Sequence, residues 1–90
     1  MARIKITLFG ALREKLGWDS KVVEIPYNKC SFRKLLDMIP ELRDIMIENN
    51  KIKEGFIVLV DGIHIQFKGG LDAEINDGDE ISIFPPGGGG

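Results

Sequence analysis

Ser31-Phe32-Arg33-Lys34-Leu35-Leu36-Asp37-Met38-Ile39 is the stretch on which the fold turns. Phe32, Leu35, Leu36 and Ile39 fall at i, i+3, i+4 and i+7, which draws one apolar stripe along a helix. Ser31 stands just ahead of the stripe, where a hydroxyl can accept from a free N–H of the first turn. Cys30 and Leu35 hold the N′ and N4 spacing of a hydrophobic staple. Pro40 then breaks the helix or restarts it as the first residue of another. Leu42, Ile45 and Met46 continue the helical spacing, and Asn49-Asn50 is expected to end it.

Everything around this helix reads as strand. Arg3-Ile4-Lys5-Ile6-Thr7-Leu8 alternates polar and apolar, the period of a half-buried strand, and Gly10 ends it. Ala11 to Leu16 has room for one or two helical turns, with Gly17 as the stop. Lys21-Val22-Val23-Glu24-Ile25, closed by Pro26, is a second strand that forms a hairpin with the first. After the helix, Phe56-Ile57-Val58-Leu59-Val60 is apolar on both faces. Asp61-Gly62 is a strong two-residue turn signal, and Ile63-His64-Ile65-Gln66-Phe67 alternates as a return strand. Gly69-Gly70 loops out, Asn76-Asp77-Gly78-Asp79 turns tightly, and Glu80-Ile81-Ser82-Ile83-Phe84 is the last strand. The order β-β-α-β-β-β with a helix crossing one sheet face predicts an α+β β-grasp of about five strands. Its first and last strands pair in parallel at the centre, because a parallel neighbour requires a long crossover. The expected division is a body over 1–84 and a flexible tail over 85–90.

Composition narrows the function. Ninety residues make one small domain with little room for an active-site cleft, so the chain is expected to work through a partner. With 12 basic and 14 acidic residues, it lacks the basic excess of a general nucleic-acid binder. The longest apolar run, Phe56 to Val60, is too short to cross a bilayer, and no signal peptide is recognisable. One cysteine, Cys30, excludes an internal disulfide framework and an all-cysteine metal site, and a single histidine leaves no His-rich one. No metal and no bound cofactor are expected, and the location expected is cytoplasmic.

The distinctive chemistry lies at the end. The last strand runs through Pro85-Pro86 into Gly87-Gly88-Gly89-Gly90. Proline cannot donate to a ladder and favours an extended exit. Glycine has no side chain, so such a segment can enter a slot too narrow for anything else. Residues 85–90 read as a delivery arm with the Gly90 carboxylate at its tip.

The ending Gly-Asp-Glu-Ile-Ser-Ile-Phe-Pro-Pro-Gly-Gly-Gly-Gly, residues 78–90, resembles that of the MoaD family, the small sulfur-carrier subunits of molybdopterin synthase. Leu8-Phe9-Gly10-Ala11-Leu12-Arg13-Glu14 is similar to that family's first strand and following turn. Phe84-Pro85-Pro86 favours MoaD over the thiamin sulfur carrier ThiS, which shares the fold and the Gly-Gly end. The chain departs at Gly87-Gly88, where the family more often carries other residues. The resemblance implies that a partner adenylates the Gly90 carboxylate with ATP, an adenylating enzyme of the ubiquitin-activating type (MoeB-like). Sulfur then displaces AMP to leave a thiocarboxylate. The tail next enters the large molybdopterin synthase subunit (MoaE-like) and donates that sulfur to a pterin precursor. The chain would not be catalytic alone. Three alternatives stand beside this: a ubiquitin-like modifier conjugated to lysines, a sulfur carrier for tRNA thiolation or thiamin synthesis, and an interaction domain with an inert tail.

Fixing four glycines costs about 4–8 kcal/mol of backbone entropy, so the arm needs a docking surface on the body. If Ile4, Ile6, Leu8, Ile81 and Ile83 face the helix, Phe9 and Phe84 face away, and Ile57 and Leu59 oppose Phe56, Val58 and Val60. Phe9, Leu59 and Phe84 are therefore expected together near the tail as the partner-binding patch. Simpler readings serve the rest. Cys30 is a packed thiol rather than a sulfur relay, His64 a surface residue on a polar strand face, and Gly10 and Gly17 turn residues. Asp72, Glu74, Asp77, Asp79 and Glu80 supply turn chemistry and solubility rather than metal ligands.

Overall fold

A computed structural model describes residues 1–87. In chain order the elements are β1 (Ala2–Leu8), α1 (Ala11–Leu16), β2 (Ser20–Ile25), β3 (Lys29–Ser31), α2 (Phe32–Asp37), α3 (Pro40–Met46), β4 (Ile47–Glu48) and β5 (Lys51–Ile52). They continue with β6 (Ile57–Val60), β7 (Ile63–His64), two short 3-10 turns over Ile65–Lys68 and Gly70–Asp72, β8 (Glu74–Asn76) and β9 (Glu80–Phe84). The main sheet has the order β2-β1-β9-β6-β7, with β9 parallel to β1 and the other neighbours antiparallel. This is the β-grasp expected from the order of strands and helix.

Alternation in β1 becomes burial: Ala2, Ile4, Ile6 and Leu8 are inside, and Arg3 and Lys5 are outside. Ile6 stands beside Ile81, and Leu8 beside Ile83. Val58 and Val60 of β6 lie opposite Ile83 and Ile81, so three strands present one inward face. Phe32, Leu35, Leu36, Leu42 and Met46 join these residues in one buried cluster. The Ser31 hydroxyl accepts from the Lys34 N–H at 3.1 Å, a cap worth about 1 kcal/mol. The helical stretch is two helices rather than one. Ile39, with φ −131°, takes the extended backbone that a residue before proline prefers, and Pro40 opens α3 at its first position.

Three local expectations change. Asn49-Asn50 does not merely end a helix. With φ of 53° and 62°, the pair forms a two-residue hairpin turn joining β4 to β5, a conformation asparagine tolerates better than most residues. The return strand expected over Ile63–Phe67 stops at His64. There the imidazole Nδ1 accepts from the Gln66 N–H at 3.2 Å and starts a 3-10 turn that ends at Gly69, φ +107°. Ile65 still reaches the core, but Phe67 is thrown outward and is 86% exposed. Finally, Cys30 lies in an unexpected two-stranded ladder, opposite Ile75 of β8.

Candidate functional site: the open sheet face and the root of the tail

The helices cover one face of the sheet, and the other carries the residues expected to meet a partner. Phe84 points away from the buried Ile81 and Ile83, and its ring stacks on Phe9 with centroids 4.4 Å apart. The Phe9 N–H donates to the Ile83 carbonyl at 3.0 Å, extending the parallel ladder by one residue and holding Phe9 beside Phe84. Leu59 lies on the same face, but one pair further from the tail, opposite Ser82 and His64. The residue opposite Phe84 is Ile57, which is 45% exposed. Ile57 was not singled out for the patch from sequence, although the two-faced apolar run Phe56–Val60 already placed it outward.

Register gives this face a gradient. At the tail end stand Ile57, Phe84 and Phe9. The next row holds His64, Leu59, Ser82, Thr7 and Ser20, and the row beyond it pairs Lys5 with Glu80. The aromatic pair and Ile57 thus stand where the tail begins, while the far row mixes the charged Lys5 and Glu80 with the exposed Val22. A partner dry enough to bury the aromatic pair would be in place to receive the tail. Beyond Phe84 the chain does not run straight on. It turns at Pro86-Gly87, where Gly87 has φ +71°. Pro85 is half-buried. Gly88, Gly89 and the proposed reactive Gly90 lie outside the described residues.

Other side chains marked in the sequence fall into structural roles. Cys30 packs against the core, and burial pushes its thiol up despite nearby Lys34, the direction of an unreactive thiol. His64 caps its 3-10 turn and meets Phe67 edge-on, so it is half-buried rather than freely exposed. Asp77 accepts from the Arg3 N–H at 2.8 Å, Asp79 from Asn76 at 2.8 Å, and Asp61 from Glu80 at 2.9 Å. Glu74 pairs with Lys29 at 3.1 Å, which holds its carboxyl below the ordinary value. Burial, then the nearby Asp61 carboxylate, hold Asp79 above its ordinary value, against the pull of the Asn76 N–H. Among the described residues, no group of three His, Cys, Asp or Glu side chains is placed to hold a metal, and no helix is long and apolar enough to cross a membrane.

Solved structures share this arrangement over almost their full length. The small archaeal modifier protein 1 of Methanosarcina acetivorans is 29% identical, with TM-score 0.72, and the match covers 100% of this chain and 98% of that one. A chain of the Amycolatopsis orientalis BexX/CysO complex is 25% identical, with TM-score 0.78, over 97% of this chain and 99% of that one. A Pyrococcus furiosus protein described as molybdopterin converting factor, subunit 1, matches at 24% identity and TM-score 0.73 over 96% of this chain and 99% of that one, a likeness of fold. No protein of curated function matches the sequence. The model of the ThiS family matches residues 6–90, which takes in Phe9, the whole last strand with Phe84 and the whole glycine run. With its β-grasp sheet, its tail and that match in agreement, the chain belongs to the ThiS family and carries its ubiquitin-like fold.

Proposed function

We propose that this protein is a sulfur carrier acting as the small subunit of a molybdopterin synthase, with the Gly90 carboxyl as its reactive group. The observation that carries the reading is the stacked Phe9–Phe84 pair on the open face, immediately ahead of Pro85-Pro86 and the glycines. A carboxylate is a poor electrophile because oxide would have to leave. A partner's ATP converts it to an acyl-adenylate with release of pyrophosphate. Hydrosulfide then attacks the carbonyl and AMP departs, leaving a thiocarboxylate. The carrier supplies the reactive atom and the docking face, while its partners supply ATP binding and the pterin pocket. Phe84-Pro85-Pro86, the strand end that resembles MoaD, supports the molybdopterin acceptor. The BexX/CysO complex supports work through a partner.

A second reading has its own support. The 29% identity to a small archaeal modifier protein favours conjugation of the same activated terminus to lysines. Mass spectrometry of the native protein separates the two. The carrier reading expects one terminal oxygen replaced by sulfur, located at Gly90 by fragmentation so that methionine oxidation is not mistaken for it. It also expects co-purification with a pterin-binding subunit. Gly90 in isopeptide linkage to many proteins, with no thiocarboxylate, would replace it with the modifier reading.

A further inference from the structure

Two glycines bracket the root of the tail. In the sheet β9 lies between β1 and β6. Gly10 lies just beyond the last residue of β1 and its Phe9 extension, and Gly55 lies two residues before β6. A Cβ built on Gly10 would stand 3.2 Å from Pro85 Cγ and 3.4 Å from its Cδ. One built on Gly55 would overlap Pro86 Cβ and stand 3.3 Å from its Cα. The first and second residues after the strand therefore rest on bare backbone, one glycine just outside the end of each flanking strand. Both glycines have positive φ, +60° and +97°. Gly10 precedes α1 with no side-chain cap, and its φ of +60° with ψ of −143° favours glycine, so the backbone conformation and the contact with Pro85 act at the same position. At Gly55 the obstructing atoms are the proline ring and backbone rather than a flexible side-chain tip, so a side chain there would have to displace the tail itself.

We propose that Gly10 and Gly55 form a gate that fixes the direction in which Pro85-Pro86 carry the tail off the sheet. They are positioning residues for delivery of the Gly89-Gly90 end into a partner's active site, and to that extent the proposal rests on the carrier reading. Neither glycine is part of the aromatic patch, so an altered gate leaves docking intact and misaims what is docked. A displacement of about 1 Å at a reacting group can cost up to roughly a hundredfold in rate.

The test is a pair of double-mutant cycles, Gly55→Ala with Pro86→Gly and Gly10→Ala with Pro85→Ala. Gly78→Ala serves as control, because Gly78 has φ +85° with nothing within 4 Å of a built Cβ and so reports backbone strain alone. Adenylation of the full chain is followed by ATP–pyrophosphate exchange, with the ubiquitin-activating-type enzyme of the same cells. Gly55→Ala is expected to leave KM unchanged and lower kcat roughly tenfold or more. In the Pro86→Gly background, which removes the Cβ and ring contacts and leaves the Cα at 3.3 Å, its cost should shrink toward that of Gly78→Ala. An equal loss in both backgrounds, or a loss no larger than that of Gly78→Ala, overturns the gate. Should Gly55→Ala fail to fold, the Gly10 cycle, whose contacts are with ring edges only, decides by the same criterion. If the wild-type chain supports no exchange, the carrier reading fails instead. The gate is then judged in the free protein from the residual dipolar coupling of the Gly87 N–H, which Gly55→Ala must change and Gly78→Ala must not.

Discussion

Phe9 and Phe84 stack across the junction of β1 and β9, their planes 15° from parallel and their ring centroids 4.4 Å apart. The pair sits on the open face at the point where the tail departs. The stacking means that Phe84 contributes to the fold as well as to any interface. Stacked rings couple by about 0.5–1.5 kcal/mol beyond their buried area. Phe84→Ala should therefore lower Tm by about 4–8 °C for each kcal/mol lost. Phe9→Ala and Phe84→Ala together should cost less than the two single changes added. Thermal melts of the four proteins measure this, and strict additivity would mean that the stack contributes nothing.

Charging the patch separates docking from stability more cleanly at Ile57, opposite Phe84 and 45% exposed. Ile57→Lys should stay within about 0.5 kcal/mol of wild-type stability, as most surface substitutions do. Binding to the large synthase subunit should fall by about 2 kcal/mol, roughly thirtyfold, if the aromatic pair and Ile57 form the centre of the interface. Titration calorimetry beside a urea melt checks both halves. Unchanged affinity would move the dock elsewhere on the body.

Asp79 gives stability a pH dependence whose sign follows from its surroundings. Burial and the neighbouring Asp61 hold its carboxyl above the ordinary 3.8. Folding thus favours the protonated form: its contribution is fully present below 3.8 and is lost as pH rises through the higher native value. Asp79→Asn keeps an oxygen to accept from Asn76 and removes the charge beside Asp61. Urea midpoints should match wild type in acid and exceed it at neutral pH. Glu74 runs the other way, since Lys29 holds it below its ordinary value and acid removes that pairing. Glu74 is fully exposed, so salt should erase its share first.

The frame of the fold was legible because each of its signals is local. Period-2 alternation in β1, the Ser31 cap and the Asp61-Gly62 turn all depend on neighbours within a few residues. Strand parity also placed Phe9 and Phe84 on one face. What escaped depends on contacts distant in sequence. Phe67 alternates correctly for a strand, but His64 and Gly69 close a 3-10 turn and expel it. Ile57 outranks Leu59 as the neighbour of Phe84 because of register between β6 and β9, which no single strand reveals. Gly10 reads as an ordinary turn residue and Gly55 as nothing at all, since the proline each supports lies at residue 85 or 86. The Asn49-Asn50 hairpin was readable in principle, because adjacent asparagines tolerate positive φ, but the preceding helical spacing masked it.

That hairpin supports a stability prediction independent of function. Asn50 has φ +62°, in the region where glycine is at no steric disadvantage, and Asn-Gly is the preferred pair for this turn. Asn50→Gly should stabilise by a few tenths of a kcal/mol, with relief of strain partly offset by the entropy of a freer unfolded chain. A destabilised variant would mean that the Asn50 side chain has a role beyond the turn.

The last prediction concerns the tip. Gly89→Val adds a β-branched side chain beside the proposed reactive carboxyl and removes the positive-φ conformations open to glycine. The buried cluster lies wholly within residues 2–83, so nothing in it is touched. The melting curve should superimpose on wild type. Thiocarboxylate should be absent from the purified protein, and ATP–pyrophosphate exchange should fall with it. Because the obstacle is steric, raising the concentration of the activating enzyme should restore occupancy of the complex but not the chemical step. Deleting Gly90 should give the same two results for a different reason, since the carboxyl would then be displaced by one residue from where the partner acts. If Gly89→Val fails and the deletion works, the reactive carboxyl belongs to Gly89 and the carrier is trimmed before use. If both variants accumulate thiocarboxylate at the wild-type rate, the terminus needs no narrow channel, and selectivity rests on the Phe9–Phe84 face alone.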